Sequence, residues 1–217
     1  MGVRGLKDFV SENARDLCSS TVLKDCRLII DGFNVVHELY YKGLTETAYG
    51  GDYDVYADSV TKLISILSKK GIEAYFVFDG IADLNDSKFS TAKSRAEDRI
   101  HLAGYSTHRK RTKILPILAF KVKYSFSPVY TLLEQNWCKY LIIFLCELQT
   151  FIERLEERSV PFVVCDHEAD KDTASLARIL KCPVVSNDSD MLLFDIPDGV
   201  ITVDDLNLST VLSQSPR

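Results

Sequence analysis

Four short apolar runs recur along the chain, and each is followed by an acidic turn. Arg27–Ile30 stops at Asp31-Gly32-Phe33-Asn34, and Ala74–Phe78 stops at Asp79-Gly80. Phe162–Cys165 leads to Glu168 and Asp170, and Pro183–Val185 leads to Asp188 and Asp190. Runs that are apolar without alternation predict strands covered on both faces, as in parallel sheets. The segments between them carry helical spacing. Tyr56, Val60, Leu63, Ile64 and Leu67 share one face of a predicted helix that Lys69, Lys70 and Gly71 end. Val35–Tyr41, Gln149–Arg158 and Thr173–Leu180 predict three more helices, and Val200–Val203, after Pro197-Asp-Gly199, a fifth strand. Gly2–Val10 predicts an irregular start and a short helix.

This alternation predicts an α/β fold, a three-layer sandwich about a mostly parallel sheet. Right-handed crossovers would gather the strands' carboxyl ends along one edge, where open α/β sheets place their ligand sites. Residues 81–159 interrupt the pattern and predict a helical, partly irregular insertion within one domain spanning 1–217. Its first part is basic, with Lys88, Lys93, Arg95, Arg99 and the cluster Arg109-Lys110-Arg111. Lys113–Ile143 contains Pro116 and Pro128 and shows no period.

Composition narrows the function. At 217 residues and 46% hydrophobic content the chain can bury a sizeable core. A net charge of -5, from 31 acidic and 26 basic residues, argues against nucleic-acid binding through bulk positive charge, but not through a local basic patch. The six cysteines form no CxxC pair, which predicts a reducing compartment and no zinc site. The N-terminus lacks an apolar signal core, and the apolar window Tyr140–Cys146 is too short to cross a bilayer, so no membrane partner is expected.

The candidate chemistry lies in Asp31, Asp79, Glu168, Asp170, Asp188 and Asp190. Magnesium and manganese prefer carboxylate oxygens, and two such ions about 3.5–4 Å apart clamp a phosphodiester. Taken singly, each acid has an ordinary explanation, as an Asp-Gly turn or a helix-terminal residue. Four acidic strand ends on one edge favour a metal site. Asp172, Asp195, Asp52 and Asp54 have local roles as helix or loop residues and are set aside. Lys88 and Arg95 stand seven residues apart, on one face of a helix, and would reach a phosphate held at the acids. The ordinary alternative is a solvated helix face. Arg109, Lys110 and Arg111 are candidates for general phosphate-backbone contact.

The blocks MGVRGL, IIDGFN, YFVFDG, HEADKD and SNDSDMLLF, in this order and spacing, resemble the XPG/Rad2 and flap-endonuclease nucleases, whose core is a PIN-like domain. YGGDYD, EADKD and NDSD are closer to the Asteroid branch of that superfamily. The resemblance covers nearly the whole chain apart from its middle. It implies two-magnesium hydrolysis of DNA phosphodiesters, with manganese able to substitute. The six acids would be ligands, Lys88 and Arg95 catalytic cations, and Gly2 a contact near the substrate junction. It further implies branched or overhang DNA as substrate, repair proteins as partners and a nuclear location. Three departures stand out. Asp170 occupies a position that is usually Glu, Lys113–Ile143 is unusually apolar, and the family's downstream duplex-binding module is expected to be absent. Two competing readings follow from the same residues: a non-catalytic PIN-like module that binds nucleic acid or protein, and an RNA-cutting PIN-type nuclease.

Overall fold

Apolar runs without alternation need cover on both faces, and the chain supplies it with helices. A computed structural model describes residue 3 and residues 5–43, 52–80 and 138–206, with the side chains of 41–43 and 138–146 left aside. The strands are β1 (Arg27–Asp31), β2 (Glu73–Phe78), β3 (Phe162–Val164), β4 (Val184–Val185) and β5 (Val200–Ile201). They form one five-stranded sheet ordered 3-2-1-4-5, and every pairing is parallel. The described helices are α1 (Leu6–Glu12), α2 (Ala14–Leu17), α3 (Gly32–Gly43), α4 (Tyr53–Lys69), α5 (Cys138–Glu157) and α6 (Asp170–Leu180).

Alternate strand residues enter different cores, as the pleat requires. Leu28 and Ile30 of β1 and Phe76 and Phe78 of β2 pack with α3, α4 and α5. Ile29 and Val77 pack on the opposite face with Val184 and with Ala174 and Ala177 of α6. The result is the three-layer sandwich expected from the sequence. Phe151 of α5 sits between Phe76 and Phe78 with ring centroids 5.3 and 6.1 Å away, edge to face.

The connections explain where a ligand site can form. From β1 through β3 the chain moves one way across the sheet, with helices on the first face. After β3 it crosses the second face through α6 and returns to the far side of β1 as β4. This reversal puts the topological switch point of the doubly wound sheet at the carboxyl ends of β1 and β4, where such sheets place their ligand sites.

Several boundaries differ from those the periodicity predicts. Helix α3 begins at Gly32, because Asp31 caps it, and α6 begins at Asp170 rather than Thr173. Helix α5 reaches back to Cys138, into the stretch without period. The last strand ends at Ile201, after which the Thr202 hydroxyl bonds Asp205 and turns the chain into the short 3-10 segment Asp204–Leu206.

Candidate active site

The β1 terminus sets the geometry. Ile30 pairs with Val185, so one step further on Asp31 lies opposite Ser186. Ser186 Oγ donates to Asp31 Oδ2 at 2.9 Å and accepts from the main-chain N–H of Asp188 at 3.0 Å. A single hydroxyl therefore joins the first acid of the site to the turn that carries the last two. Asp31 also caps α3: the Asn34 N–H donates to Oδ1 at 3.2 Å, and Asn34 Nδ2 donates to Oδ2.

At the end of β2, Asp79 Oδ1 accepts from the main-chain N–H of Ala169 at 2.7 Å. This places the β2 carboxylate against the Glu168–Asp170 turn, at the start of α6. Gly80 is needed in the same place, because a Cβ there would lie 1.9 Å from the carbonyl oxygen of Cys165. Its N–H donates to the His167 carbonyl at 2.7 Å, fastening the β2 and β3 ends together. Past β4, Asp188 Oδ1 accepts from the Asp190 N–H at 3.0 Å and caps the 3-10 segment Ser189–Leu193. Met191 anchors that segment in the second core, while Leu193 is exposed. Asp190 Oδ1 accepts from the Val3 N–H at 3.1 Å, which brings the chain's start to the same edge.

The electrostatics report convergence as well. Burial pushes the Asp31 carboxyl up from 3.8 to about 6 against the lowering effect of bonds from Asn34 and Ser186, and the negative charges of Asp79 and Asp170 raise it further. Acids from three strand ends are thus close enough to repel one another. Asp172 has a separate partner. Burial pushes the Cys165 thiol up to about 11, and its hydrogen bond to Asp172 adds to the shift.

The structure therefore brings Asp31 and Asp79, the Glu168–Asp170 turn, and Asp188 and Asp190 to one edge. Among the described residues, no group of three or more His, Cys, Asp or Glu side chains is already arranged to hold a metal ion. The donor chemistry nevertheless fits a divalent cation. It is all oxygen, and it includes a buried carboxylate whose pKa is raised by burial and by the charges of Asp79 and Asp170. Lys88, Arg95, Arg109, Lys110, Arg111 and Gly2 lie outside the described residues. Sequence reasoning gave no role to Ser186, Asn34 or Asn187. Asn34 follows Asp31 by three residues, the spacing of a helix cap, and that was the available signal.

The XPG N-terminal domain family matches residues 1–101, and a second family described as XPG domain containing matches residues 129–215. The chain belongs to the XPG/Rad2 superfamily. Within this superfamily it is homologous to the Asteroid proteins. Human single-strand DNA endonuclease ASTE1 is 33% identical over 199 residues, which cover 92% of this chain and 25% of ASTE1. Protein asteroid of Drosophila melanogaster is 27% identical over 198 residues, covering 90% of this chain and 20% of its own length. The chain thus spans about a quarter of the length of the curated relatives it matches. A solved structure of the catalytic core of Rad2 in complex with DNA substrate gives a TM-score of 0.52 at 16% identity, covering 93% of this chain and 51% of that one. That likeness is one of fold, and it is the PIN-like fold of XPG-type nucleases.

Proposed function

We propose that this XPG/Rad2 member is the catalytic part of a metal-dependent, structure-specific DNA endonuclease. The observation that carries the reading is the gathering of acids at the switch point, with Asp31 raised to about 6 beside Asp79 and Asp170 and joined through Ser186 to the turn of Asp188. The relatives named as single-strand DNA endonucleases support DNA as the substrate class. Asp31, Asp79, Glu168, Asp170, Asp188 and Asp190 would hold magnesium, with manganese a substitute. When bound, two such ions supply Lewis-acid charge at the scissile phosphodiester.

The chain's own residues do the rest. Ser186 and Asn34 orient Asp31, and the Gly80–His167 bond holds the β2 and β3 acids together. Lys88 and Arg95 neutralise charge that develops on the phosphate, Arg109, Lys110 and Arg111 contact the DNA backbone, and Gly2 lies near the substrate junction. A repair role, protein partners and a nuclear location belong to the same proposal, and imaging of a fluorescent fusion checks the last of these.

The test is cleavage of end-labelled single-stranded, overhang and branched DNA, with RNA alongside, in magnesium. The wild-type chain should cut DNA, and Asp188→Ala or chelation should abolish cutting. A folded wild-type chain that cuts none of these DNAs in magnesium or manganese would end the nuclease reading, and preference for RNA would replace the substrate. One observation favours a non-catalytic scaffold: Asp31, Asp79 and Asp188 already accept main-chain N–H groups. Titration with manganese separates the two, because a scaffold would take up none.

A further inference from the structure

Asp31 is held by Asn34, and Asn34 is held in turn by Asn187. Asn34 donates to it twice, from the main chain to Oδ1 at 3.2 Å and from Nδ2 to Oδ2. The Asn34 carboxamide oxygen accepts from the main-chain N–H of Asn187 at 3.2 Å. Asn187 Oδ1 in turn accepts from the main-chain N–H of Val203 at 3.0 Å. Val203 is fully buried in the larger core, so the far end of this chain of bonds is fixed by packing. The two side chains tie together the carboxyl ends of β1, β4 and β5.

We propose that Asn34 and Asn187 are positioning residues that fix the Asp31 carboxylate for a divalent cation, an assignment that rests on the nuclease reading. A carboxylate offers about four acceptor directions. Asn34 occupies two and the Ser186 hydroxyl a third. Among the described residues one direction remains, on the Oδ1 side, so Asp31 presents a single lone pair in one orientation. The relay also sets which way the Asn34 carboxamide points. If the group were flipped, its oxygen would face the Asp31 carboxylate and its NH2 would face the Asn187 N–H, losing both bonds.

The chemistry explains why asparagine stands at position 34, and what position 187 must supply. Aspartate at 34 would retain the acceptor for Asn187 but set a second negative charge against Asp31. Serine would be too short to span both partners. At 187 the side chain must accept from Val203 while its own main chain donates to Asn34. Groups that orient a metal ligand in this way typically alter metal affinity 10–100-fold when removed.

The experiment is manganese titration by calorimetry, with manganese EPR as a second readout, on wild type, Asn34→Ala, Asn187→Ala, Asp31→Asn and the Asp31→Asn/Asn34→Ala pair. The melting temperature of each metal-free protein is recorded alongside. Asn34→Ala is expected to weaken manganese binding about 10- to 100-fold, and Asn187→Ala by less, because it acts through Asn34. In the Asp31→Asn background, removing Asn34 should bring no further loss, as expected of residues acting through one ligand. Unchanged manganese affinity in folded Asn34→Ala overturns this assignment alone, as does a full additional loss in the double variant. Wild-type protein that takes up no manganese overturns the nuclease reading and this assignment with it. If Asn34→Ala does not fold, Asn34→Ser, which keeps a short donor, replaces it in both titrations: weakened binding supports the assignment, and unchanged affinity overturns it.

Discussion

Asp31 concentrates the chemistry at the scale of single residues. Its carboxyl is raised from 3.8 to about 6, first by burial and then by the charges of Asp79 and Asp170. A carboxyl raised on folding contributes stability that is fully present below its ordinary value and is lost as the pH climbs through the folded value. The metal-free protein therefore gives up on the order of 2–3 kcal/mol at this residue between about pH 4 and pH 7. Carboxyl-carbon NMR should find Asp31 titrating near 6 without metal, and saturating magnesium should move the midpoint below about 4. A midpoint that stays put in magnesium would separate Asp31 from the ion. Gly80 is a second sensitive residue, because a Cβ there meets the carbonyl oxygens of Cys165 and Asp166 and the main chain would have to move. Gly80→Ala is expected to lower stability by about 1–3 kcal/mol and to reduce cleavage as the β2 and β3 ends separate. Denaturant unfolding and the cleavage assay check the two effects. The position of the acids past the strand ends was legible in the sequence because each follows an apolar run. Ser186, Asn34 and Asn187 were not, since a hydroxyl or carboxamide beside an acid looks like any turn residue until the strands that bring it to Asp31 are paired.

At the scale of elements, burial separates residues that hydropathy alone would group. In the run Met191–Phe194, Met191 is buried while Leu192 is 40% and Leu193 63% exposed. Met191→Ala should cost about 2–5 kcal/mol, and Leu193→Ser should stay within about 0.5 kcal/mol of wild type. Equal costs for the two in denaturant titrations would contradict the placement of the 3-10 segment. Phe151 ties α5 to the sheet through Phe76 and Phe78, and Phe151→Ala is expected to cost about 3–5 kcal/mol. Only the carboxyl-terminal half of α5 was readable, because Tyr140–Cys146 is almost wholly apolar and a uniform run carries no period. The start of α6 was hidden for the opposite reason. Asp170-Lys171-Asp172 is wholly charged, and the residue before it is fastened by Asp79 at the Ala169 N–H, ninety residues away in sequence. Contacts of that range leave no trace in a local pattern.

For the whole molecule, the sheet order 3-2-1-4-5 makes one site out of two halves of the chain. Alternation of strands and helices made the parallel sheet legible, but the order of the strands, and with it the switch point between β1 and β4, came only from the structure. The two hydrophobic cores are built from apolar side chains on both faces of the sheet, so the fold is expected to persist without an ion. Chelation should therefore abolish cleavage while leaving the far-ultraviolet circular dichroism unchanged. Magnesium at a hundred times its dissociation constant should add about 2.7 kcal/mol of stability for each ion bound, seen as a rise in melting temperature. The claim beneath all of this is that the acids of β1, β2, the Glu168–Asp170 turn and the Asp188–Asp190 turn serve one metal centre. Anomalous diffraction from crystals of the chain grown in manganese tests it most directly. The account predicts two manganese peaks enclosed by Asp31, Asp79, Asp170 and Asp188, and manganese found only at other surface carboxylates, with this edge empty, would contradict it.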